Sequence, residues 1–92
     1  MVFVVHLSKT AQKQIQKLPS HIVVKLMAWI ESVNTDGLEE VRKVPGFHDE
    51  PLRGQRAGQR SIRLSRSYRA IYVIKSHKIE FVEVLEVNKH EY

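Results

Sequence analysis

Gln59-Arg60-Ser61-Ile62-Arg63-Leu64-Ser65-Arg66-Ser67-Tyr68-Arg69-Ala70-Ile71-Tyr72-Val73-Ile74-Lys75 decides the fold of this chain. Ile62 and Leu64 alternate with Ser61, Arg63 and Ser65, the period-two pattern of a half-buried strand. Ser65-Arg66-Ser67-Tyr68 then offers a turn, and a second β-branched and aromatic run follows from Arg69 to Lys75. Lys75-Ser76-His77-Lys78 reads as another turn, leading into a third run from Lys78 to Val87. Loops this short between strand-like runs imply an antiparallel meander. In the second run Ala70, Tyr72 and Ile74 share one face and Arg69, Ile71 and Val73 the other. Which of the two meets the core depends on register, and both choices stay open.

Working outward from this sheet, Val2 to Leu7 is a first short strand, apolar enough to be buried on both faces. Ser8 has the chemistry of a helix N-cap. Beyond it Ala11, Ile15 and Leu18 recur at helical spacing among Lys and Gln, predicting an amphipathic helix that ends near Pro19. A second helix is expected over His21 to Val33, with Ile22, Val23, Leu26, Ile30 and Val33 as its stripe, Met27 and Trp29 widening it, and Gly37 as C-cap. Leu38 to Val44 suits a turn or two of helix before the break at Pro45-Gly46, and Phe47 to Arg53 has no clear pattern. The fold class is therefore α+β: an N-terminal strand, an antiparallel two-helix hairpin, then a three- to four-stranded antiparallel sheet. The hairpin covers one face and leaves the other open to a ligand.

The chain has 92 residues, which fits a single domain over 1–92 with a small core. Lys and Arg total 15 against 10 Asp and Glu, a formal charge of +5, so nucleic acid is the first partner to consider. With no cysteine there are no disulfides, thiolate metal sites or cysteine nucleophiles, as suits a reducing compartment. No run approaches the roughly 18 apolar residues that span a bilayer, and the first residues lack a signal peptide's pattern. A cytoplasmic chain with no membrane partner is expected.

Five arginines lie between Arg56 and Arg69, interleaved with strand residues. One arginine on a strand is ordinarily a solvated surface residue. Five in so short a stretch point to an anion-binding face. Glu50 precedes Pro51 and so lies in extended backbone beside the arginine-bearing strands, where it can act as a general base or simply pair with an arginine. The last strand delivers His90 and Tyr92 towards the same arginines, and histidine gives and takes protons near neutral pH. His6, His21, His48 and His77 show no metal-site spacing and read as surface, loop or packing residues; no metal and no cofactor is expected.

The ordered series Glu50-Pro51-Leu52-Arg53-Gly54, then Gly58-Gln59-Arg60-Ser61-Ile62-Arg63-Leu64, then Tyr68-Arg69-Ala70-Ile71-Tyr72, and finally Lys89-His90-Glu91-Tyr92 resembles the RelE/ParE superfamily of bacterial toxins, above all its RelE, YoeB and HigB branch. The resemblance implies the toxin of a type II toxin–antitoxin module. Such a toxin is an mRNA interferase that works with the 70S ribosome, cuts the A-site codon of mRNA without a metal, and is silenced by a cognate antitoxin. Carried over by position, it implies that Arg69 stabilises the scissile phosphate and that Arg53 is a basic contact. Arg60 or Arg63 supplies a further phosphate contact, and Glu50, His90 and Tyr92 are the proton-transfer groups. Glu50 or His90 would be the base and His90 or Tyr92 the acid. Glu91 separates His90 from Tyr92, whereas YoeB-like proteins place the two side by side. Arg56 and Arg66, on loops, would add general attraction for RNA. The alternative within the superfamily is a ParE-like toxin that inhibits DNA gyrase without catalysis.

Overall fold

A computed structural model of the chain describes residues 1–89. Strand β1 (Val5–Leu7) leads into helices α1 (Lys9–Ile15), α2 (Ser20–Asp36) and α3 (Leu38–Val41). Strands β2 (Glu50–Pro51), β3 (Arg60–Arg63), β4 (Tyr68–His77) and β5 (Ile79–Lys89) follow, with short 3₁₀ turns at Pro45–Phe47 and Gly54–Arg56. They form one sheet in the order β1-β5-β4-β3-β2. β1 runs parallel to β5 and every other pair is antiparallel. The expected strand, two helices and antiparallel sheet are all present, and β2 supplies the fourth strand of that sheet.

The first strand begins at Val5 rather than Val2: Val4 O still accepts from Val82 N of the last strand, but Val2 bonds elsewhere. The Val2 carbonyl accepts from Leu38 N at 2.7 Å, and Val2 N donates to Glu39 Oε1 at 3.2 Å, tying the start of the chain to α3. Hydrogen bonding from its own backbone N–H, and after that from the Val2 amide, holds the Glu39 carboxyl below its usual range against some desolvation. Ser8 caps α1 as anticipated, its Oγ accepting from Ala11 N at 3.0 Å. The same hydroxyl donates to Leu85 O at 2.7 Å, and Gln14 Oε1 accepts from Val87 N at 2.6 Å. Side chains of α1 thereby satisfy β5 beyond the point where β1 stops pairing at Val84.

Helix α2 outruns the expected Val33 by three residues, because Asn34-Thr35-Asp36 completes a last turn closed by Gly37. Gly37 N–H donates to Val33 O at 2.9 Å, and its φ of 88° lies where a side chain is strained. A Cβ there would also come 3.3 Å from the Phe3 ring. Ile22, Leu26, Trp29 and Val33 of α2 are fully buried against Ile62, Leu64, Ala70, Tyr72, Val82, Val84 and Val87 of the sheet side. Each such side chain contributes about 1.5–3 kcal/mol of hydrophobic stabilisation. Met27, expected to widen this stripe, is exposed. The turn between β4 and β5 is tighter than the sequence suggested: His77 pairs with Ile79, and Lys78 alone reverses the chain at φ 65°.

Candidate nucleic-acid and catalytic face

The register resolves the open question of β4. Ala70 and Tyr72 face the helices, and Arg69, Ile71 and Val73 face away. A bulge near Ile71/Tyr72, where pairing steps from Glu86 to Val84, keeps Val87, Val84 and Val82 all in the core. Across the sheet Glu50 pairs with Ser61, Ser61 with Ile71, and Ile71 with Glu86, so these four share the open face. One step along, Arg63 pairs with Arg69, and Arg69 with Asn88.

Two arginines directly opposite each other on neighbouring strands repel, and such like-charge pairs destabilise a sheet unless an anion lies between them. Among the described residues Arg63 makes no ion pair. Arg69 has Glu50 Oε1 at 3.8 Å from Nη2, attraction without a full hydrogen bond. Arg69 is mostly covered, with 23% of its side chain exposed, whereas Glu50 is 54% exposed and so open to a ligand. Glu50, Arg63 and Arg69 therefore come together as a carboxylate beside a paired cationic seat.

Arg60 belongs to the other face. It shares the phase of Ile62 and pairs with Tyr72, and its Nε donates to Asp49 Oδ1 at 2.6 Å. The second oxygen of Asp49 accepts from the Tyr72 hydroxyl at 2.5 Å, and only 1% of the Asp49 side chain is exposed. Burial pushes the Tyr72 hydroxyl far above its ordinary value, and the hydrogen bond to Asp49 adds to the shift. Burial alone would lower the Arg60 guanidinium, but Asp49 more than offsets it and the net shift is upward. Tyr72 also meets Trp29 of α2, ring centroids 5.3 Å apart, so this polar cluster sits against the core.

Arg56 lies in the connection between β2 and β3 and reaches Glu86 of β5 at 2.8 Å, with Gln59 Oε1 at 2.9 Å. The connection therefore folds over the open face, which accounts for Ile71 being only 7% exposed although it faces away from the core. Arg53 is exposed just before the Gly54–Arg56 turn, and Arg66 is exposed between β3 and β4. His90 and Tyr92 lie outside the described residues. The described part of β5 ends at Lys89, opposite Tyr68 and one step beyond the Asn88–Arg69 pair. Among the described residues no group of three His, Asp or Glu side chains could hold a metal ion. His6 packs against Phe81, the two rings tilted with centroids 4.7 Å apart, in keeping with a packing role. A groove of about 600 Å³ lined by Phe3, Thr35, Asp36, Val41 and Val44 shares no residue with the arginine face.

Asp49 and Glu86 escaped the sequence analysis. A signal for Asp49 was present: alternation sets Arg60 in phase with Ile62 and Leu64, and an arginine on the covered face requires a carboxylate there. Nothing local announces Glu86, since its partner lies across two strands.

A five-stranded mixed sheet with helices on one face is a fold this chain shares with solved structures of bacterial toxins. The chain is similar to the YoeB/ParE toxin from Agrobacterium tumefaciens, with 19% identity over 96% of this chain and 99% of that one at a TM-score of 0.70. It is similar to the toxin of a RelBE toxin–antitoxin complex from Mycobacterium tuberculosis, with 24% identity over 98% and 100% of the two chains and a TM-score of 0.68. A YafQ mutant from E. coli superposes at a TM-score of 0.74, with 15% identity over 94% and 91%. No family model matches the sequence, and no curated protein sequence does.

Proposed function

We propose that this chain is a ribosome-dependent mRNA endoribonuclease, the toxin of a type II toxin–antitoxin module. The observation that carries this is the in-register Arg63–Arg69 pair with the Glu50 carboxylate 3.8 Å from Arg69 on the side of the sheet away from the helices. Cleavage of RNA through its own 2′-hydroxyl needs a base for that proton, fixed positive charge on the pentacoordinate phosphate, and a proton for the leaving 5′-oxygen. Glu50 takes the 2′-proton as O2′ bonds to phosphorus. Arg69 and Arg63 hold the phosphoryl oxygens as negative charge builds. The P–O5′ bond breaks, and His90 or Tyr92 gives the departing oxygen its proton, the role that the sequence resemblance assigns to them. The products are a 2′,3′-cyclic phosphate and a 5′-hydroxyl, and no metal takes part. Arg53 adds to the cationic approach. Arg56 neutralises Glu86, which would otherwise repel the RNA backbone.

A small basic domain has few surfaces with which to force RNA into in-line geometry, so the ribosome supplies that alignment. The partner that silences the enzyme is an antitoxin, as in the toxin–antitoxin complex among the proteins of similar fold. Arg69→Ala and Glu50→Ala in a translation-coupled cleavage assay test the assignment. Loss of Arg69 is expected to cost about 10²–10³ in rate, and loss of Glu50 about 10²–10⁴. Wild-type rates from both variants would sink it.

A further inference from the structure

We propose that Asp49 is a positioning residue for Glu50: clamped between Arg60 and Tyr72, it fixes strand β2 so that the Glu50 carboxylate stands on the open face beside Arg69. This rests on the function proposed above, but its structural half stands independently.

β2 has little of its own to hold it. It is two residues long, exposed at both, and lies at the sheet's edge. Pro51 has no N–H to give to the ladder. Just before it, His48 adopts φ 47° and ψ 50°, a left-handed conformation that is strained for a residue with a side chain. A strand so short, entered through an unfavourable turn, needs an anchor from elsewhere.

Asp49 provides one. Both its carboxylate oxygens are occupied, Oδ1 by Arg60 Nε at 2.6 Å and Oδ2 by the Tyr72 hydroxyl at 2.5 Å. The two donors come from different strands, β3 and β4, so the clamp fixes the chain in two directions. Successive side chains along extended backbone point to opposite sides. With Asp49 held on the covered side, its neighbour Glu50 is directed to the open side, where Arg69 lies 3.8 Å away. Tyr72 is fully buried and packs on Trp29, so the anchor is set against the packed core.

The experiment compares wild type with Asp49→Asn and the milder Tyr72→Phe, which removes one hydrogen bond and leaves the ion pair. Amide exchange is followed at Leu52, whose N–H donates to Gln59 O at 2.9 Å, against Val82, whose N–H donates to Val4 O at 2.8 Å, as an internal control. Asp49→Asn is expected to speed exchange at Leu52 at least tenfold relative to Val82, with Tyr72→Phe in between. Single-turnover cleavage of ribosome-bound mRNA is expected to fall at least tenfold in Asp49→Asn, and to fall no further when the same change is made in a Glu50→Ala background. Unchanged Leu52 protection in both variants would overturn the proposal. So would an equal fold-loss of cleavage with and without Glu50, the mark of a general stability effect. If the wild-type chain leaves ribosome-bound mRNA intact, the endonuclease assignment fails, and Leu52 exchange still decides whether Asp49 anchors β2.

Discussion

Arg63→Gln should make this protein more stable while impairing its activity. Arg63 and Arg69 stand directly opposite across β3 and β4, and Arg63 has no counter-ion among the described residues. Opposed Cβ atoms lie about 5 Å apart. With guanidinium groups roughly 7 Å apart and an effective dielectric of about 40, between protein-surface and water values, the repulsion is about 1 kcal/mol. Glu50, 3.8 Å from Arg69, offsets part of it, so relief on removing one charge is about 0.5 kcal/mol. For a domain of this size that raises Tm by about 2–4 °C. Glutamine keeps most of the side-chain stem, so packing loss is small. Calorimetry at low and at about 0.5 M salt checks the sign and the cause, because salt shortens the Debye length to a few ångströms and should erase the difference. Inorganic pyrophosphate should raise the Tm of the wild type more than that of the variant, because only the wild type offers two charges to one anion. A variant less stable than wild type at low salt, or equal responses to pyrophosphate, would refute the reasoning.

The raised pKa of Tyr72 means that the native state holds its phenolic proton where the unfolded chain releases it. The resulting stability is complete below about pH 10 and declines as pH rises beyond it, by up to about 1.4 kcal/mol per pH unit; urea midpoints from pH 9 to 11.5 should fall more steeply for wild type than for Tyr72→Phe. Gly37→Ala should destabilise by about 1–3 kcal/mol in urea titrations, since alanine at φ 88° is strained and its methyl would press on Phe3; a neutral result would mean that the α2–α3 junction adapts. Arg69→Lys should recover little of the cleavage lost in Arg69→Ala, because a single ammonium cannot bridge two phosphoryl oxygens as a guanidinium does; rates within threefold of wild type would show that charge alone suffices.

Much of this architecture is legible in local pattern. Alternation in Ser61-Ile62-Arg63-Leu64 and the helical stripe Ile22, Val23, Leu26, Ile30 and Val33 each name a buried face; the structure buries Ile62, Leu64, Ile22, Leu26 and Val33, with Trp29 beside them, and leaves Val23 and Ile30 half-buried. What stayed unreadable is set by pairing between distant segments. The phase of Arg69, Ala70 and Ile71 depended on register with β3 and β5, and the bulge near Ile71/Tyr72 leaves no local mark. Arg60, read from the sequence as an alternative to Arg63 for a phosphate contact, shares the phase of Ile62, and in the structure its Nε donates to Asp49. The crossing of Arg56 to Glu86 depends on how the 52–59 connection folds over the sheet. Met27 fell within the expected apolar stripe yet is exposed, as the buried line along α2 runs through Ile22, Leu26, Trp29 and Val33.

Mapping mRNA 5′ ends in a reconstituted translation reaction tests the proposed function most directly. Added wild-type protein should generate new 5′-hydroxyl ends inside translated codons, dependent on ribosomes engaged on the message, and Arg69→Ala should suppress them by about 10²–10³. Intact mRNA in that reaction, with DNA breaks in cells whose growth the same protein arrests, would contradict it.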